Sequence, residues 1–222
     1  MRLLFDLDGT LTDPFLGITN CIQHALSGLG KNPLPADQLC WCIGPPLQES
    51  FSILLETTDA ALIESAIQIY RERFAKVGLF ENKLYSEIPE VLRTLVQDGH
   101  TLSVATSKPE VFARRIISHF KLDQYFIHVD GSQLDGTRSD KTSLISHILE
   151  RDGICRKDAI MIGDRKHDII GARANHITSI GVAWGHGSRE ELESADADFI
   201  AVRPADLPTE IKRAERSLDM IH

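Results

Sequence analysis

Leu3-Leu4-Phe5-Asp6-Leu7-Asp8-Gly9-Thr10 is an apolar run that ends abruptly in two carboxylates. Arg2 to Phe5 reads as a short, fully buried strand. Residues i and i+2 of a strand point to the same side, so Asp6 and Asp8 converge where the backbone turns at Gly9. Two carboxylates held that closely repel each other and call for a cation. A cation beside a free carboxylate is machinery for moving a phosphoryl group.

Outward from that strand the chain separates into two patterns. From Pro14 to about Lys83, apolar residues recur at helical spacing. Phe15, Ile18, Ile22, Leu26 and Leu29 form one stripe, stopped by Gly30. Leu47, Phe51, Leu54 and Leu55 form a second, and Leu62, Ile63, Ala66, Ile67, Tyr70, Phe74 and Val77 a third, ending at Gly78. Asn32-Pro33 to Asp37 and Gly44-Pro45-Pro46 break the stretch, which predicts a small helical bundle without strands.

Beyond it strands and helices alternate: helix 88–97, strand 101–105, helix 109–120, strand 126–129, helix 142–151, strand 159–162, helix 168–175, strand 179–183, helix 190–194 and strand 198–201. This alternation predicts an α/β fold, a Rossmann-like doubly wound parallel sheet covered on both faces. Such folds bind ligands at the carboxyl ends of their strands, where strand order reverses. The expected organisation is a core of residues 1–13 and 84–222, with residues 14–83 inserted as a helical domain. The polar tail, 210–222, reads as a surface helix or a frayed end.

Composition narrows the function classes. The 222 residues are 42% hydrophobic and 25% charged, ordinary for a soluble globular protein. A net charge of −8 argues against a nucleic-acid polymer as partner. The apolar runs are too short for a membrane span, and a nucleophile at position 6 puts the N-terminus in the folded core rather than in a signal peptide. Cys21, Cys40, Cys42 and Cys155 lack zinc-site spacing and read as free thiols of a reducing, cytoplasmic setting. The nine histidines are scattered, without H-E-x-x-H spacing.

Four segments fall at predicted strand ends or helix starts: Asp6-Leu7-Asp8, then Thr106-Ser107-Lys108, then Lys141, then Gly163-Asp164-Arg165-Lys166-His167-Asp168. In this order and at these separations they resemble the motifs of the haloacid dehalogenase superfamily of phosphohydrolases, over the whole chain. The resemblance makes residues 14–83 the helical cap that this family inserts after its first motif.

The resemblance and the residue types together imply a mechanism. Asp6 is the nucleophile, giving an aspartyl-phosphate. Asp8 protonates the leaving oxygen and later deprotonates water. Mg²⁺, which prefers hard oxygen ligands, would take Asp6, Asp164, the Asp8 carbonyl and water. Asp168 orients a metal-bound water or supports Lys141. Thr106 and the Ser107 N–H hold phosphate oxygens, and Lys141 neutralises charge on phosphate and Asp6. Lys108 and Arg165 weigh equally as site cations or as surface charges. Asp13 reads as a cap for the first helix of the inserted domain. The glycines of Gly131 to Arg138 and of Trp184-Gly185-His186-Gly187 are as well explained by turn chemistry as by a place at the site entrance.

Cys42-Ile43-Gly44-Pro45-Pro46-Leu47, the GSQLDGTR stretch and GDRKHD resemble the phosphoglycolate phosphatase and bacterial 5′-nucleotidase branch. The resemblance therefore implies a small phosphorylated metabolite as partner and a monomer or homodimer. A nucleoside leaving group would use aromatic walls, with Phe15, Trp41, Phe51 and Tyr70 available, although core packing explains most of them better. Glycolate would need a cation such as Lys31, Arg71, Arg73 or Lys76. The first expectation is a nucleotidase and the second a phosphoglycolate phosphatase. Asp8 argues against a dehalogenase. The lack of a suitably placed cap lysine argues against a phosphonatase. A sugar phosphomutase shares every core motif, and a non-catalytic module would have lost one of Asp6, Asp8, Lys141 or Asp164.

Overall fold

A computed structural model describes residues 1–219. The chain divides into two compact units, Met1–Asp13 with Leu84–His222, and Pro14–Lys83.

The first unit is built on six parallel strands: β1 (Arg2–Phe5), β2 (Thr101–Pro109), β3 (Phe126–Ser132), β4 (Ala159–Gly163), β5 (Thr178–Val182) and β6 (Phe199–Ala201). Their order is β3-β2-β1-β4-β5-β6. The chain builds outward on one side of β1, then crosses back to build on the other. The switch point of this doubly wound sheet is the crevice between β1 and β4. Phe5, the last residue of β1, lies opposite Val104 on one side and Ile162 on the other; β4 ends one residue further on, at Gly163, and β2 continues to Pro109. Asp6 continues from β1, its N–H donating to Ile162 O at 2.8 Å.

Leu3, Leu4, Phe5, Ile160, Met161 and Ile162 are all 0% exposed, so both faces of the central strands are covered. Leu4 and Met161 share a core cluster with Leu144, Ile145 and Ile148 of one helix and Ala172 of another. Each large apolar side chain buried in this way stabilises the fold by about 1.5–3 kcal/mol before entropy is counted.

The helices of the second unit are α1 (Phe15–Gly28), α2 (Leu47–Leu54) and α3 (Ala60–Arg73). A 3₁₀ segment covers Ala36–Cys42 and a π-turn Phe74–Gly78. Phe51 meets Tyr70 edge-on at 6.2 Å, and Tyr70 stacks on Phe74 at 5.5 Å. These buried rings form this unit's core, which removes Phe51 and Tyr70 as free aromatic walls. Arg73 forks onto Glu81 at 2.7 and 3.0 Å, so it is engaged within the unit rather than held out for a ligand. Pro14, not Asp13, occupies the N-cap of α1.

The remaining helices belong to the first unit: α4 (Ile88–Gln97), α5 (Glu110–His119), α6 (Lys141–Asp152), α7 (Lys166–Ala174), α8 (Arg189–Ser194) and α9 (Leu207–Asp219). Two expectations change here. Lys141 is the first residue of α6 rather than its forerunner, with Asp140 as N-cap. The tail is a packed helix, with Leu207, Ile211 and Ala214 fully buried; residues 220–222 of that expectation lie outside the described residues. No helix among the described residues is long and apolar enough to cross a membrane.

Candidate active site

The four segments meet at the carboxyl ends of β1, β2 and β4, and each arrives for a local reason. After Phe5 the chain turns at Gly9, whose φ of +83° suits a residue without a Cβ. The turn returns Gly9 N–H to Thr12 O at 2.7 Å. Asp164 follows β4. Asp168 sits in the first turn of α7, where its Oδ2 accepts from Arg165 N–H at 3.1 Å. That contact satisfies one of the free amides at a helix start. Lys141 opens α6, fixed by Asp140, whose Oδ1 accepts from Ser143 N–H at 2.9 Å.

Asp6, Asp8, Thr106, Lys141, Asp164 and Asp168 are all buried. Lys141 Nζ lies 2.8 Å from Asp6 Oδ1 and 2.6 Å from Asp168 Oδ1, and it donates to Ala105 O at 2.8 Å. An ammonium has three protons, and here each has an acceptor. Burial works against the charged lysine, yet Asp168 and Asp6 together hold it above the ordinary lysine value.

Asp164 accepts from His186 N–H at 2.8 Å and faces the Thr10 hydroxyl at 3.5 Å. Burial, reinforced by Asp6 and Asp168, holds its carboxyl well above the usual range. Burial also raises Asp168, against the pull of Lys141. Carboxylate oxygens of Asp6, Asp164 and Asp168 lie within 4.8 Å of one another. The Asp8 carboxylate stands outside this trio and pairs with Lys108 Nζ at 2.6 Å. Burial raises the Asp8 carboxyl, and Lys108 opposes the shift.

A charge count tests the fit to a metal. Asp6, Asp8, Asp164 and Asp168 bring four carboxyl groups into the buried site, and Lys108 and Lys141 bring two ammonium groups. Arg165 adds none, because Glu191 holds its Nε at 2.9 Å. The acids outnumber the cations, and the all-oxygen set of Asp6, Asp164 and Asp168 suits a hard divalent ion, whose charge would favour their ionised forms.

A match to the haloacid dehalogenase-like hydrolase family model spans residues 3–182. The chain belongs to this family. It is 48% identical to a 5′-nucleotidase from Pseudomonas aeruginosa over 207 residues, covering 91% of this chain and 93% of the relative. It is 35% identical over 198 residues to the tyrosine-protein kinase PtkA of Mycobacterium tuberculosis, covering 89% of this chain and 67% of that one. The crystal structure of a predicted phosphatase from Clostridium acetobutylicum shares the fold with a TM-score of 0.92 and 43% identity, over 96% of this chain and 98% of that one. This member of the haloacid dehalogenase-like hydrolases is a phosphatase.

Three features of the site had little signal in the sequence. Lys108, one of two evenly weighed cations, enters the site, whereas Arg165 pairs with Glu191. The Trp184–Gly187 segment is packed against Asp164 rather than being a free turn: a Cβ on Gly185 would lie 2.3 Å from Asp164 Cβ, and one on Gly187 1.9 Å from Asp164 O. Asp13 pairs with His186 Nε2 at 3.2 Å. Spacing alone does not announce Lys108, because the strand pairing slips between Thr106 and Pro109. Nothing local could have linked Gly185 to Asp164, which precedes it by a strand and a helix.

Proposed function

We propose that this phosphatase is a Mg²⁺-dependent phosphomonoester hydrolase of 5′-nucleotidase type, working through an aspartyl-phosphate on Asp6. The observation that carries the reading is the buried assembly of Asp6, Lys141 and Asp168 beside Asp164, an acidic cluster around a nucleophile whose charge is held by an ammonium. Asp6 attacks phosphorus, and the bond to the leaving oxygen breaks as the new bond forms. Asp8 hands its proton to that oxygen. Asp8 then takes a proton from water, whose oxygen displaces Asp6 and frees inorganic phosphate. Thr106 and the Ser107 N–H hold phosphate oxygens in this reading, while Lys141 balances the charge gathered on phosphate and nucleophile. Mg²⁺ on Asp6, Asp164 and the Asp8 carbonyl, with Asp168 supporting, would screen phosphate charge from the attacking carboxylate.

The helical unit, residues 14–83, acts as the cap that selects the leaving group. The substrate is a small phosphorylated metabolite in a cytoplasmic setting, a nucleoside 5′-monophosphate first among them. Identity of 48% to a 5′-nucleotidase over nearly the whole chain supports that order. The test is phosphate release with Mg²⁺ across nucleoside 5′-monophosphates, phosphoglycolate and sugar phosphates. Nucleotides should be several-fold better, with all activity lost on chelation. A preference for phosphoglycolate would replace the substrate assignment. Transfer from ATP to a tyrosine peptide, prompted by the similarity to PtkA, or no release from any ester, would overturn the hydrolase reading.

A further inference from the structure

β2 does not stop at Thr106. It runs on to Pro109, but its pairing slips: Thr106 lies opposite Gly131 and Pro109 opposite Ser132, so Ser107 and Lys108 bulge from the ladder. Three features hold this bulge. The Ser132 hydroxyl donates to Ser107 O at 2.8 Å, and Lys108 N–H donates to Thr106 Oγ1 at 3.3 Å. Gly131 admits the close backbone, since a Cβ there would lie 2.5 Å from Lys108 O. Bulges re-aim side chains. This one directs Lys108 inward, leaving its side chain 6% exposed with Nζ 2.6 Å from Asp8 Oδ2. The other oxygen, Asp8 Oδ1, is buried and makes no hydrogen bond among the described residues.

The two oxygens of one carboxyl group are thus treated differently. A neutral carboxylic acid has one oxygen that only accepts and one hydroxyl that donates. An ammonium donor on Oδ2 reserves that oxygen as the acceptor, and the hydroxyl then falls on Oδ1. We propose that Lys108 is a positioning residue that fixes the Asp8 carboxyl so that Oδ1 alone exchanges a proton with the leaving oxygen. The inference rests on the proposed role of Asp8 as acid and base. As Asp6 bonds to phosphorus and the ester bond breaks, the proton passes from Asp8 Oδ1 to the departing oxygen. Lys108 stays on Oδ2, and Oδ1 later accepts the proton of the water that displaces Asp6.

Leaving-group dependence tests this. A nucleoside 5′-hydroxyl needs a proton to depart, whereas 4-nitrophenolate leaves without one. With Mg²⁺ present, Lys108→Met should lower kcat/KM on the fastest alkyl phosphate about 30-fold, but on 4-nitrophenyl phosphate only about threefold. Lys108→Arg, which keeps the donor, should restore most of the loss. Lys108→Gln serves as the uncharged variant if Lys108→Met does not fold, with thermal unfolding as the check. Equal losses on both esters, or no loss on either, would overturn the role of Lys108. Asp8→Asn separates this failure from a deeper one. If Asp8→Asn loses alkyl activity selectively and the Lys108 variants do not, only the role of Lys108 falls. If Asp8→Asn affects both esters alike, the assignment of Asp8 as the acid falls, and that of Lys108 with it.

Discussion

Gly185 shows how tightly single atoms constrain the site. A methyl group there would sit 2.3 Å from Asp164 Cβ and 2.5 Å from Gly9 O, with no flexible side-chain end to move aside. Gly185→Ala should cost about 1–3 kcal/mol as an overpacked contact and displace Asp164. Thermal unfolding and Mg²⁺ titration would read both effects, and wild-type values in each would contradict the packing argument. Asp164 itself illustrates the cost that the proposed function would impose. Its carboxyl is buried beside two others, which destabilises the metal-free fold. Asp164→Asn should raise the melting temperature of chelated protein by a few degrees, as for ~1 kcal/mol, while abolishing turnover; an unchanged or lower melting point would refute the repulsion. Asp6→Asn should leave the fold intact and reduce phosphate release by more than about a thousandfold, and substantial residual activity would remove Asp6 as nucleophile. At this scale the residues that carry charge into the core were legible, because burying a carboxylate at a strand end makes sense only with partners. The glycines that make room for them were not, since their reason lies in atoms remote in sequence.

Among the elements, α6 has the most exacting task, because its first residue is Lys141. Asp140 caps it, and the Ser143 hydroxyl and N–H, both donating to that carboxylate, hold its pKa below the ordinary 3.8. A carboxylate lowered in the folded state adds stability above its unfolded pKa and loses it as pH falls through the folded value. Asp140→Ala should therefore destabilise by about 1 kcal/mol at neutral pH, with the difference from wild type closing as pH falls below the ordinary carboxylate value. A pH-independent difference would point to some other cause. The helices and strands were largely legible, since their apolar periods are strong. α9 was not: among the described residues its buried positions are Leu207, Ile211 and Ala214, set among charged residues. The extension of β2 past Ala105 was hidden too, because the slip opposite Gly131 and Ser132 is a property of the pairing rather than of β2 alone.

Over the whole molecule, the excess of buried acids over buried cations at the site would make a bound cation part of the energetics of the fold. Any ligand bound only by the native state stabilises it, by about 2.7 kcal/mol at a hundred times its dissociation constant. Mg²⁺ should accordingly raise the melting temperature of wild type and leave Asp164→Asn unmoved, as scanning calorimetry would read; equal shifts in both would put the ion elsewhere. The parallel sheet was legible from alternation, and its switch point between β1 and β4 explains why the motifs gather where they do. The substrate was not legible from the core motifs, because in the proposed reading they would meet the phosphate rather than what it is attached to. The strand order also bears on synthesis. β1 is made first, yet its two neighbours begin at Thr101 and Ala159. Segments made earlier can fold earlier, but here β1 waits, Asp6 at its end without a complete setting, until β2 and β4 have left the ribosome. A fragment that terminates before Lys141 therefore carries Asp6 without the lysine and carboxylates that surround it in the folded protein.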